Sequence, residues 1–122
     1  MPRTILIAED EAPIVESLTF LFEREGYNVD RAADGRSAIE KVYSAKPDLI
    51  VLDAMMKHYT GFDVLKMLRA DQSIVQPKVL MLTAKGQDVD RRLAFELGAD
   101  DYIAKPFSNK AVLEAVAKLM FD

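Results

Sequence analysis

Short, continuously apolar runs alternate with helix-patterned segments along this chain, and that alternation restricts the fold more than any other feature. Ile5-Leu6-Ile7-Ala8, Leu49-Ile50-Val51-Leu52 and Val79-Leu80-Met81-Leu82 are uniformly apolar, the pattern of strands buried on both faces. Tyr27 to Ala32 and Tyr102-Ile103-Ala104 are weaker strand candidates. Between the strands, Ile14, Val15, Leu18, Leu21 and Phe22 form one apolar stripe at helical spacing, and Val112, Leu113, Val116, Leu119 and Met120 form another. Ser37 to Ser44, Phe62 to Leu68 and Val89 to Leu97 supply three further helical segments. Gly26 and Gly98 stand just past helices, where a left-handed closing residue is favoured, and Ser108 is placed to cap the last helix. Strand followed by helix, five times over with short connections, predicts an α/β fold: a parallel sheet with right-handed crossovers and helices on both faces.

With 122 residues, half of them hydrophobic, the chain fits one domain over residues 1–122, burying roughly two-thirds of the surface its unfolded form exposes. No linker, repeat or low-complexity stretch interrupts it. The absence of cysteine removes disulfides and thiol chemistry and agrees with a reducing cytoplasm. No apolar run reaches the length of a membrane span or a signal peptide. Twenty acidic against sixteen basic residues give a net charge of −4. That balance argues against this segment binding nucleic acid and points to protein partners.

Four of the strand runs end directly in a reactive polar group: Glu9-Asp10, Asp53, Thr83 and Lys105. In an open parallel sheet, ligands sit beyond the carboxyl ends of the strands, so these groups are expected to converge. Asp53 follows a buried run while the next helical pattern starts only near Phe62, so it is not a helix cap. Asp10, followed by Pro13, also reads as a capped helix start. Carboxylates sharing one crevice repel each other, and a hard divalent cation with oxygen ligands relieves the repulsion. Magnesium suits the set, because it binds through one or two carboxylates and leaves positions for phosphate oxygens. Lys105 and Thr83 add an ammonium and a hydroxyl for a small, doubly charged anion, which describes a phosphoryl group. A carboxylate is then the available nucleophile, and Asp53 is central. No GxxxxGK[ST] or GxGxxG arrangement is present, so the phosphoryl donor is expected to be another molecule.

Glu9-Asp10, Leu52-Asp53 with Met55-Met56, Gly61, Thr83-Ala84, Gly98-Ala99-Asp100-Asp101-Tyr102 and Lys105-Pro106-Phe107 together resemble a bacterial response-regulator receiver domain over essentially the whole chain. The resemblance implies a flavodoxin-like fold of strand order 2-1-3-4-5 with five helices. It implies that Asp53 takes a phosphoryl group from a histidine of a sensor kinase or histidine phosphotransfer protein. Magnesium would be held by Asp10 and Asp53, helped by Glu9 and the backbone carbonyl of Met55. Lys105, in a cis bond to Pro106, would bind a phosphoryl oxygen. Thr83 would move to hydrogen-bond the phosphoryl group and Tyr102 would follow inward, altering the surface of the fourth helix, fifth strand and fifth helix. That surface would meet an output domain or a target protein. The chain would be a cytoplasmic phosphorelay switch in a two-component system, catalysing only its own phosphorylation and dephosphorylation.

Gly98 to Phe107 is most similar to receivers of winged-helix transcription factors, and Arg91 and Asp101 fit the charged pairing surface of that class. Ala111 and Ala115 stand where that class usually carries an acid and a base, and Lys57 stands where the family usually has proline. Family members tune dephosphorylation at the positions of Met55 and Lys85. Asp100-Asp101 precede a strand and belong at the rim opposite Glu9-Asp10, outside the metal site. His58 reads as a solvated loop residue, and Met67, Met81 and Met120 as core filling. Two alternatives remain open: a metal-dependent phosphatase with an aspartyl-phosphate intermediate, which would usually carry an acid where Met55 stands, and a receiver-like interaction module that is never phosphorylated.

Overall fold

The computed structural model describes residues 3–84 and 88–121; Lys85 lies outside the described residues. Five strands and five helices alternate: β1 (Thr4–Ala8), α1 (Ala12–Arg24), β2 (Asn28–Ala32), α2 (Gly35–Ala45), β3 (Leu49–Asp53), α3 (Gly61–Ala70), β4 (Lys78–Ala84), α4 (Asp88–Glu96), β5 (Asp101–Lys105) and α5 (Asn109–Phe121). The strands form one parallel sheet in the order β2-β1-β3-β4-β5. No helix among the described residues is long and apolar enough to cross a membrane.

The period of two along the strands divides the core into two layers. Leu6, Ala8, Ile50, Leu52, Val79 and Met81 pack with residues of α2, α3 and α4, among them Val42, Leu65, Leu68 and Ala94. The alternate residues Ile5, Ile7, Leu49, Val51, Leu80 and Leu82 pack with Leu18, Leu21 and Phe22 of α1 and Val112, Val116 and Met120 of α5. Both faces of the central strands are covered, which explains their uninterrupted hydrophobicity. Each of the fully buried valine, leucine, isoleucine, phenylalanine and methionine side chains contributes about 1.5–3 kcal/mol by leaving water.

Several local features fix where the strands end and the helices begin. Gly26 and Gly98 close α1 and α4 with φ of 91° and 105°, and Ser108 Oγ accepts from Ala111 N at 3.0 Å, both as the sequence predicts. The start of α1 differs from expectation. Its cap position is Glu11, which makes no side-chain capping bond; Glu9 Oε2 accepts instead from Asp10 N at 3.0 Å and Glu11 N at 3.4 Å. Asp10 is thereby left exposed at the strand end rather than consumed as a cap. Met81 and Met120 fill the core, but Met67 is 45% exposed. It lies off the α3 stripe of Val64, Leu65 and Leu68.

Two capping groups carry measurable consequences. Thr60 and Asp63 form a reciprocal capping box at the start of α3, so Thr60→Ala is expected to lower stability by about 1 kcal/mol in urea denaturation. Asp34 caps α2 by accepting from Ser37 N at 2.8 Å. That bond, the Ser37 hydroxyl and His58 hold its carboxyl down from 3.8 to about 2. A depressed acid stabilises the fold above its unfolded value, and the effect is lost as pH falls through the folded value. The stability difference between wild type and Asp34→Ala should therefore be constant above pH about 4 and shrink between pH about 4 and 2, and an NMR titration should place the Asp34 midpoint near 2.

Candidate functional site

Parallel register brings the predicted polar groups to one rim. Ala8 lies opposite Leu52, so Glu9, the next residue after β1, stands beside Asp53 at the end of β3. Asp53 lies opposite Leu82, one residue before Thr83, and Thr83 lies opposite Ala104, one residue before Lys105. Carboxylate oxygens of Glu9, Asp10 and Asp53 fall within 4.8 Å of one another. Lys105 Nζ bridges two of them, 2.7 Å from Glu9 Oε1 and 3.4 Å from Asp53 Oδ2. Residues separated by nearly the whole chain thus share one cluster.

Glu9 is 0% exposed and Asp53 5% exposed, whereas Asp10 is open to solvent. Burial, then the adjoining Asp53 carboxylate, pushes the Glu9 carboxyl above its ordinary value, with Lys105 acting in the opposite sense. For Lys105, burial favours the neutral amine, but the close ion pair with Glu9 and the charges of Asp53, Glu9 and Glu11 outweigh it and keep the ammonium stabilised. Glu9 Oε1 receives no well-directed hydrogen bond despite being fully buried; its close neighbour is the Lys105 ammonium. An incompletely satisfied buried oxygen beside two further carboxylates is a donor set suited to a hard divalent cation. The residues present therefore fit magnesium.

The loop after Asp53 is held close to the site. Met55 N donates to Asp53 Oδ1 at 3.2 Å, while Met55 as a whole is 65% exposed. Gly61 N donates to Ala54 O at 2.9 Å, and a Cβ at Gly61 would collide with the Asp53 carbonyl. That close approach is a reason for glycine which the sequence alone does not disclose. The Lys105-Pro106 bond is cis. Beside it, Glu11, Ile14, Ala84, Lys105, Pro106 and Phe107 line an open cleft of about 520 Å³.

Thr83 is 2% exposed, and Tyr102, opposite Met81, packs on the layer that contains Met81 and Ala94. Alternation along β4 puts Thr83 on the same face as Met81, so Thr83 and Tyr102 share the α4 side of the sheet. Tyr102 meets Phe95 edge to face at 5.8 Å and lies under the Arg91 guanidinium at 5.0 Å.

Asp100-Asp101, which the sequence places outside the site, do lie apart from the carboxylates. Asp100 accepts from Val79 N at 2.8 Å and Arg69 Nη2 at 3.0 Å at the start of β4 and β5, the opposite rim. A cleft of about 450 Å³ lined by Val42, Tyr43 and Ile74 also belongs to that remote end. His58 is not simply solvated: its Nδ1 lies 3.3 Å from Asp34 Oδ2. Arg69, which carries no distinguishing signal in the sequence, joins Gly98 O, Gln76, Pro77 O and Asp100; an arginine at the end of an amphipathic helix is ordinarily a solvated residue.

Comparison with known proteins agrees with this geometry. Residues 5–117 match the response regulator receiver domain family. The chain is 46% identical over 120 residues to the alkaline phosphatase synthesis transcriptional regulatory protein PhoP of Bacillus subtilis (strain 168), covering 98% of this chain and 49% of that protein. It therefore spans about half the length of this curated relative. Among solved structures, a response regulator from Chloroflexus aurantiacus J-10-fl superposes with a TM-score of 0.94 at 32% identity, covering all of both chains. The chemotaxis response regulator CheY4 of Vibrio cholerae gives 0.90 at 28% identity, covering 98% of this chain and 99% of that one. The chain belongs to the response regulator receiver domain family of two-component signalling.

Proposed function

We propose that residues 1–122 act as one phosphorylation-activated receiver domain whose phosphoacceptor is Asp53, with magnesium held by Glu9, Asp10, Asp53 and the backbone carbonyl of Met55. The observation that carries this reading is the Lys105 ammonium placed between Glu9 and Asp53 at the mouth of the carboxylate cluster. When bound, the cation would neutralise charge on the phosphoryl oxygens and orient them.

The chain's own residues do the rest. An Asp53 carboxylate oxygen attacks phosphorus on the phosphohistidine of a sensor kinase or phosphotransfer protein. A P–O bond forms, the P–N bond breaks, and the imidazole leaves and takes up a proton. Lys105 stabilises the developing negative charge, a form of catalysis by positioning and electrostatics. The donor approaches over the cleft between Ile14 and Phe107, which opens beside Lys105. The domain modifies only itself and turns over no separate substrate.

After transfer, Thr83 hydrogen-bonds the new anion, and Tyr102, on the same face of the sheet, follows. Its contacts with Phe95 and Arg91 carry the change to α4, β5 and α5, where an output domain or target protein binds. Moving a two-state equilibrium from 1:99 to 99:1 takes roughly 5.5 kcal/mol of differential binding. Two or three charge-assisted hydrogen bonds, at about 1.5–3 kcal/mol each, supply that. Response regulators generally work in the cytoplasm, and this one is assigned there.

Incubation with magnesium and acetyl phosphate, followed by intact mass measurement, tests the reading. Stoichiometric addition of one phosphoryl group, abolished in Asp53→Asn, is the expected result. Sustained multiple-turnover hydrolysis would favour a phosphatase, and absence of any modification would favour an inert receiver-like module.

A further inference from the structure

The segment from Ala54 to Thr60 joins Asp53 to α3, and α2 holds it from an unexpected direction. At its first residue, Ala54 N donates to Leu82 O at 2.8 Å and Ala54 O accepts from Gly61 N at 2.9 Å. In its middle, Lys57 O accepts from Gly35 N at 3.1 Å, and His58 Nδ1 lies 3.3 Å from Asp34 Oδ2. Both of these partners belong to the start of α2. The Asp34 carboxylate is itself fixed, because Oδ1 accepts from Ser37 N and Ser37 Oγ, each at 2.8 Å. Its second oxygen is thereby aimed at the loop.

The loop conformation needs such restraint. His58 and Tyr59 have φ of 50° and 82°, a left-handed region that residues with side chains hold only where their surroundings impose it. Gly35 permits the close approach, since a Cβ there would collide with the carbonyl oxygens of His58 and Tyr59 and with the Tyr59 Cβ. Lys57 has no ring to fix its φ, so the restraint comes from outside the loop. Met55 lies two residues before Lys57, and its N–H fixes the Asp53 carboxylate at 3.2 Å.

We propose that Asp34 and Gly35 are positioning residues that hold the loop after Asp53, and through it the Met55 backbone carbonyl and the Asp53 carboxylate, in the geometry required for cation binding and phosphoryl uptake. The proposal rests on reading Asp53 as the phosphoacceptor and Met55 O as a magnesium ligand. It makes the first turn of α2 part of the acceptor site although no α2 side chain reaches the carboxylates.

Magnesium affinity by calorimetry and phosphorylation rate by intact mass, measured on the whole chain, test it. The set is wild type, Asp34→Ser, Gly35→Ala, and Gly35→Ala combined with Tyr59→Gly. Serine is as good a helix cap as aspartate but is too short to reach both Ser37 and His58, so Asp34→Ser separates capping from tethering. Asp34→Ser should remain folded with the α2 cap in place, at some cost in stability from the lost carboxylate, yet lose about tenfold in magnesium affinity, the size of effect seen when a group supporting a metal ligand is removed. Gly35→Ala should lose about 10- to 100-fold, with partial recovery when Tyr59→Gly removes one of the three colliding atoms and gives the loop backbone freedom to carry the two carbonyl oxygens away. Folded Asp34→Ser with wild-type affinity and rate would overturn the proposal, whether or not Gly35→Ala folds. Wild-type protein that neither binds magnesium nor takes up phosphate would instead overturn the phosphoacceptor reading itself, and this one with it.

Discussion

The Lys105 ammonium between Glu9 and Asp53 is the contact on which the rest of the site depends. Taking two carboxylates out of water is costly, and removing one partner of a buried ion pair typically costs about 3–5 kcal/mol because a charge is left uncompensated. Glu9, fully buried, keeps company with Asp53 only because a cation sits 2.7 Å away. The three residues come from the ends of β1, β3 and β5, so the contact exists only when the strands adopt the observed order and register. Fold and site are in this sense one constraint. The ammonium offsets part of the negative charge of Glu9, Asp10 and Asp53, and the remainder suits the cluster to a hard divalent cation.

In the proposed switch, the route outward from Asp53 follows the sheet rather than the loops. Thr83 and Tyr102 occupy neighbouring strands on one face, and the Tyr102 ring meets Phe95 edge to face and lies under Arg91, both of α4. A polar group drawn toward the strand ends leaves space on the same face, and an aromatic ring with exposed neighbours can take it. The opposite face is covered by α1 and α5, packed through Phe22, Leu82 and Val116. Direction is thus set by which side of β4 the hydroxyl occupies.

The sheet, its strands and the positions of the helices were legible because each depends on local period and on turn residues such as Gly26, Gly98 and Ser108. The convergence of Glu9, Asp10, Asp53, Thr83 and Lys105 was legible for a different reason, since strand ends in a parallel sheet must share a rim. What stayed hidden was set by contacts distant in sequence. Glu9 turns back to its neighbouring amides while facing Lys105, and this displaces the expected cap at Asp10. Met67 shares its residue type with Met81 but falls one position outside the α3 stripe. The bracing of His58 by Asp34 and the need for glycine at Gly35 and Gly61 arise where separate backbone segments touch. No period or motif encodes those approaches.

The most direct measurement is anomalous diffraction from crystals of the chain soaked in manganese, a divalent ion that shares magnesium's preference for oxygen ligands and octahedral geometry. One strong peak within bonding distance of Asp10, Asp53 and the Met55 carbonyl, beside Lys105 and lost in Asp53→Ala, is the predicted result. A peak elsewhere, or full occupancy that persists without Asp53, would contradict the account.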